Sequence, residues 1–215
     1  MFQLYVFDLD GTLVDSRRDL ADAANELLAQ CGGAALPEEH VGRMVGEGAA
    51  VLVARVFRAR AIDPPLDALP RFLAIYDGRL LNHTRAYEGM HDTLTSLARR
   101  APLAVLTNKP LAATRRILGG VDLARFFDHD AVVGGDGPFA RKPDPSGLQH
   151  LAARADVPIA STLLVGDSSI DWETAVRASS GICLARYGFG FAGFPIGQLR
   201  GEDRVIDSPT DILRL

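Results

Sequence analysis

The chain is poor in the residues that mark several protein classes. Only two cysteines, Cys31 and Cys183, occur in 215 residues, and they stand far apart. Neither a disulfide framework nor a cysteine metal site is expected; the pattern fits reduced thiols in a cytoplasmic protein. No apolar stretch approaches the roughly 18 residues of a membrane-spanning helix. The first apolar run stops at Asp8 and lacks the basic start of a signal peptide. Basic residues never cluster in fives or sixes, and the formal net charge is −4. Neither nucleic acid nor an anionic membrane is therefore expected as a partner. Repeats and low-complexity tracts are missing, and His40, His83, His91, His129 and His150 show no ligand spacing. What remains is an ordinary globular composition, 47% hydrophobic and 23% charged. That is enough for one large domain, or for a core carrying a smaller insertion.

Periodicity divides the chain into two kinds of sequence. Leu4-Tyr5-Val6-Phe7 reads as a strand buried on both faces. From 17 to about 84 no strand is expected. Helices are expected at 17–30, from Pro37 onward, at 49–61 and at 66–81, with Asp15 or Ser16 capping the first. From Gly89 the pattern alternates. Helices are expected at 91–100, 111–118, 145–155 and 171–179. Strands are expected at 103–106, 131–133, 162–165 and 182–185, with an edge strand at 204–206. Such alternation indicates an α/β fold, a parallel sheet with helices on both faces. The aromatic, glycine-rich stretch 187–197 is expected to be irregular and to serve packing or an oligomer contact rather than a substrate wall.

Ligands of such sheets bind beyond the carboxyl ends of the strands, so the residues there matter most. The first strand ends in Asp8 and Asp10, which face the same way because they are two apart in extended chain. Two carboxylates so close repel unless a cation or strong donor lies between them. Later strands end in Thr107-Asn108 and in Asp167, with Asp171 four residues on, and Lys142 precedes Pro143. Acids, neutral donors and a cation on separate loops suit phosphoryl transfer, which depends on positioning and charge neutralisation. Mg²⁺ favours oxygen ligands and keeps several waters, so two or three carboxylates suffice. Asp8 can attack phosphorus, and Asp10 can protonate the leaving oxygen and later deprotonate water. Asp167 is the better direct metal ligand, with Asp171 orienting it or a bound water. Plainer readings compete: Asp8 and Asp10 as a turn, Asp171 as a helix N-terminal acid, and Lys109 or Arg141 in place of Lys142. Gly46-Glu47-Gly48 reads equally as a substrate-facing loop or a helix break.

The segments Asp8-Leu9-Asp10-Gly11-Thr12-Leu13-Val14-Asp15, Thr107-Asn108, Lys142-Pro143 and Gly166-Asp167-Ser168-Ser169-Ile170-Asp171 together resemble the four ordered motifs of the haloacid dehalogenase-like hydrolases. The helical insert resembles the small cap of the phosphoglycolate phosphatase group. The resemblance implies a Rossmann-like core (1–14 and 87–215) and an inserted all-helical cap domain (15–86). It implies Asp8 as the aspartyl-phosphate nucleophile and Asp10 as the acid/base whose backbone carbonyl reaches Mg²⁺. Thr107 and the Asn108 backbone would hold the phosphate, with Lys142 bridging it and Asp8. Asp8, Asp10, Asp167 and Asp171 would form the metal shell. Dehalogenases of this group lack the second aspartate, so Asp10 points away from carbon–halogen cleavage. Trp172 and Glu88-Gly89 depart from the family pattern without removing a chemical group. The implied activity is hydrolysis of a small phosphomonoester, phosphoglycolate first, by a monomer or homodimer. A phosphomutase with the same aspartates and a receiver-type signalling module are the alternatives.

Overall fold

The apolar tetrapeptide at the start of the chain becomes the strand that both halves of the sheet are laid against. The computed structural model describes residues 2–215. In chain order the elements are β1 (Leu4–Phe7), β2 (Val14–Asp15), α1 (Arg17–Gln30), α2 (Glu38–Gly42), α3 (Ala49–Arg58), α4 (Ala68–Asp77), β3 (Arg85–Ala86) and α5 (Met90–Leu97). There follow β4 (Leu103–Leu106), α6 (Leu111–Gly120), β5 (Val132–Val133), α7 (Ser146–Arg154), β6 (Thr162–Gly166), α8 (Ser169–Ala178), β7 (Gly181–Ala185) and β8 (Arg204–Ile206). Among the described residues no helix is long and apolar enough to cross a membrane.

Six strands form one sheet in the order β5-β4-β1-β6-β7-β8, every neighbour parallel. The chain winds outward from β1 first to one side, then to the other. The strand order reverses at β1, which places a crevice beside its carboxyl end. Alternate residues of β1 serve opposite faces. Tyr5 and Phe7 join a core with Leu20, Met90, Leu94 and Ile117, while Leu4 and Val6 join one with Leu148, Leu151, Ala175 and Ala178. A strand enclosed on both sides must be apolar throughout, as this one is.

Helices α1–α4 lie between β2 and β3 and add Val41, Leu52, Val56, Phe57 and Phe72 to the first of those cores. The expected helix starts and stops hold to within a few residues. The fourth begins at Ala68 because Leu66, expected inside it, is fully exposed. The two-residue ribbon of β2 and β3 flanks the 17–84 block, where no strand was expected: Val14 pairs with Ala86 and Asp15 with Arg85 where the chain leaves for the helical block and returns. Runs this short carry no period for a sequence to display.

Beside the ribbon, Asp19 of α1 is fully buried. Its carboxylate accepts the backbone N–H of His83 (3.0 Å), the N–H of Thr84 (2.8 Å) and the Thr84 hydroxyl (2.7 Å). His83 also approaches Asp22, a proximity that its sequence position did not signal. The 187–197 stretch contains two 3-10 turns, Phe191–Gly193 and Ile196–Gln198. Phe191 and Phe194 are buried, and Trp172 meets Phe194 edge-on while its indole N–H donates to Asp203 at 2.8 Å. Trp172, a departure from the family pattern, thus anchors this loop. Removing the Asp19 carboxylate strands several buried donors, so Asp19→Ala should cost about 3 kcal/mol. Urea unfolding checks this, and an unchanged midpoint would show that packing alone holds the ribbon.

Candidate active site

The chain turns sharply after β1: the N–H groups of Thr12, Leu13 and Val14 all donate to the Leu9 carbonyl. Gly11 sits in the turn at φ +84°, and a Cβ there would fall 1.9 Å from Asp167 Oδ2. Glycine is required twice over, by conformation and by space. The turn leaves Asp8 and Asp10 lining one cavity, as their spacing predicted. Their partners differ. Lys142 Nζ lies 2.8 Å from Asp8, whereas Lys109 Nζ lies 3.0 Å from Asp10. Each lysine meets one of the two aspartates. Arg141 instead donates through Nε to the Gly135 carbonyl.

Lys142 also reaches Asp171 at 2.6 Å, and all three groups are buried. Burial alone would depress the Lys142 ammonium, but Asp171 and then Asp8 outweigh it and hold the pKa above the ordinary lysine range. Asp8 is pushed up to about 6, chiefly by burial, with Lys142 opposing the rise and Asp171 adding to it. Asp167 is raised well above the usual carboxylate range by burial, then by Asp171 and Asp8. Oxygens of Asp8, Asp167 and Asp171 lie within 4.8 Å of one another. Three buried carboxylates facing one ammonium carry excess negative charge, and their donors are all oxygen. A hard divalent cation fits that set. The Asp10 side chain lies outside this cluster and takes the Ser16 hydroxyl besides Lys109. Ser16 does stand at the N-cap of α1, but its side chain makes no cap bond, having been drawn to Asp10. Asp171 serves two tasks: one oxygen meets Lys142, and the other accepts the N–H and hydroxyl of Ser168 at the start of α8.

After β4, Thr107 is buried on the cavity wall, and its hydroxyl accepts the Lys109 N–H at 3.2 Å. The Asn108 amide donates to the carbonyls of Gly46 and Lys142, each at 2.9 Å. It thereby ties the glycine loop of the helical block to the sheet, which favours the site-facing reading of that loop. Lys109 donates to the Tyr76 hydroxyl of α4 at 2.8 Å, and burial pushes that hydroxyl up to about 12. Two contributors escaped sequence reading. Tyr76 lay unremarked within the helix expected at 66–81. Gly190, in the stretch assigned to packing, donates its N–H to Asp167 at 2.7 Å. Gly188 packs so closely that a Cβ would lie 2.2 Å from the Gly11 carbonyl. The only signal in sequence was a pair of glycines, too weak to place.

A doubly wound sheet with paired aspartates after its first strand, a buried lysine and a second acid cluster defines a class of hydrolase. The haloacid dehalogenase-like hydrolase model matches residues 5–185, and the chain belongs to that family. Among curated relatives it is 43% identical over 194 residues to the phosphoglycolate phosphatase of Rhodospirillum rubrum, covering 86% of this chain and 79% of that one. It is 37% identical over 210 residues to the plasmid phosphoglycolate phosphatase of Cupriavidus necator, covering 94% and 88%. A crystal structure from Haemophilus somnus, described as a predicted phosphoglycolate phosphatase, superposes with a TM-score of 0.90 at 31% identity over 99% of this chain and 97% of its own.

The raised Asp8 pKa has a consequence for stability. Between its ordinary 3.8 and about 6, the folded protein binds more protons at Asp8 than the unfolded chain does. The Asp8 contribution to stability therefore falls as pH rises through that window. Relative to Asp8→Asn, the chelator-treated parent should lose thermal midpoint from about pH 4 to about pH 6, and Mg²⁺ should restore it. A midpoint indifferent to Mg²⁺ at neutral pH would argue against a cation at this cluster.

Proposed function

We propose that the chain is a Mg²⁺-dependent phosphoric monoester hydrolase acting through an aspartyl-phosphate on Asp8, with phosphoglycolate, the substrate named for its relatives, the first candidate. The observation that carries this is the separation of the two aspartates: Asp8 held by Lys142, Asp10 by Lys109 and Ser16. Two carboxylates in unlike surroundings can take unlike roles. Residues 15–86 act as the cap and residues 1–14 with 87–215 as the core. The ribbon of β2 and β3 marks the crossing between them.

Asp8 Oδ attacks phosphorus while the bond to the leaving oxygen breaks and Asp10 gives that oxygen its proton. Asp10 then takes a proton from water, whose oxygen attacks phosphorus, and the phosphorus–Asp8 bond breaks to free inorganic phosphate. Thr107 and the Asn108 backbone hold the phosphoryl oxygens, and Lys142 keeps Asp8 anionic and oriented. Asp8, Asp167, Asp171 and the Asp10 carbonyl would hold the cation directly or through water; when bound it neutralises phosphoryl charge and aligns the group with Asp8. Cap helices over the cavity exclude bulk water. The Asn108–Gly46 and Lys109–Tyr76 hydrogen bonds support a cap closed on the core.

Asp8→Asn should lower phosphate release by at least about 10³-fold, since the covalent route disappears. The measurement is release of inorganic phosphate from a phosphomonoester panel, with and without Mg²⁺. Undiminished turnover in Asp8→Asn would end the nucleophile assignment. A requirement for a bisphosphate activator, with no phosphate released, would favour the mutase instead.

A further inference from the structure

The cavity over Asp8 and Asp10 is larger and more apolar than a phosphorylated two-carbon acid needs. Its volume is about 320 Å³. An apolar cavity of about 150 Å³ already takes up benzene. Beyond the polar end the walls are Leu20 of α1, Leu52 of α3, Phe72, Leu73 and Leu80 of α4, and Ala113 of α6. The charged groups among the described residues that line it are Asp8, Asp10, Asp77 and Lys109. Lys109, the one cation, is committed to Asp10 at 3.0 Å and to Tyr76 at 2.8 Å. Asp77 is an anion, paired with Arg116. A body without charge asks no partner of these groups. An uncharged apolar body meets walls that match it.

We propose that this site takes a further substrate class: phosphomonoesters of primary alcohols whose body is uncharged and apolar, about the size of a benzyl or butyl group. This rests on the hydrolase reading above and adds to it. The chemistry is unchanged, with Asp8 displacing the alcohol, Asp10 protonating it, and water freeing the phosphate.

The test compares methyl, butyl and benzyl phosphates with phosphoglycolate in the presence of Mg²⁺, following phosphate release. All release an alkyl alcohol whose oxygen Asp10 protonates, so differences report binding of the body more than leaving-group reactivity. The expected result is a kcat/KM at least about tenfold higher for butyl and benzyl than for methyl phosphate. Ala113→Trp, which fills the apolar end, should lower the benzyl-to-methyl ratio by about tenfold. A ratio taken on one sample is insensitive to partial misfolding. The matching phosphonates, whose carbon–phosphorus bond is not cleaved, give a second readout through the thermal midpoint. Benzyl- and butylphosphonate should raise it more than methylphosphonate. A flat or falling alkyl series beside active phosphoglycolate hydrolysis, or phosphonates that do not follow this order, overturns the inference and leaves the hydrolase standing. Should no ester release phosphate while the phosphonates keep the order, the apolar pocket stands and the hydrolase reading falls.

Discussion

A single buried ammonium, Lys142 Nζ, sits between Asp8 and Asp171, and the arrangement of the site depends on it. It draws together the end of β1 and the first turn of α8, while its own carbonyl receives the Asn108 amide from the loop after β4. Three loops meet at one residue. In a low-dielectric setting such pairing is expensive to break, because each partner left alone is an uncompensated buried charge. The lysine balances only part of the charge, since Asp167 joins the same cluster. That shortfall makes the site receptive to a metal cation, and it adds to burial, the larger cause, in raising the Asp8 and Asp167 pKa values.

A second set of contacts holds the helical block over this centre. Lys109 bonds Asp10 on one side and Tyr76 on the other. Asn108 reaches Gly46, Ser16 reaches Asp10, and Asp19 holds the backbone at His83 and Thr84 where the chain returns. Polar groups of the site therefore serve as the latch between helices and sheet. The surface between them is apolar, which is why one cavity joins a charged floor to a hydrocarbon roof. The charged end and the apolar walls of the cavity thus come largely from different parts of the chain.

The loop after β7 shows how packing and chemistry share residues. Phe191, Phe194 and Trp172 bury its outer part, and that anchoring brings the Gly190 N–H to Asp167. Tyr187 adds a hydrogen bond to the Thr12 carbonyl and stacks edge-on with Tyr87 near the ribbon. Packing or an oligomer contact was the expected purpose of this stretch, and Phe191 and Phe194 do pack against the core. Its contact with the acid cluster arises because Gly188 and Gly190 let the backbone pass where a side chain would collide.

The sheet, its flanking helices and the seven residues Asp8, Asp10, Thr107, Asn108, Lys142, Asp167 and Asp171 were legible in the chain itself. Buried strands must be apolar runs, and polar residues at their carboxyl ends stand out against them. The resemblance already implied Lys142 beside Asp8, but the pairing of Lys109 with Asp10 was not legible, because two lysines near two loops look alike until the loops are placed. Nor were the two-residue ribbon, the Ser16 hydroxyl turned from its cap to Asp10, or the Gly190 contact, each joining positions remote in sequence or too short to show a period. Local periodicity and strand-end position were enough to specify which chemical groups gather at the end of β1. Which charge meets which, and what kind of wall faces the two aspartates, depends on distances between segments that the order of residues does not contain.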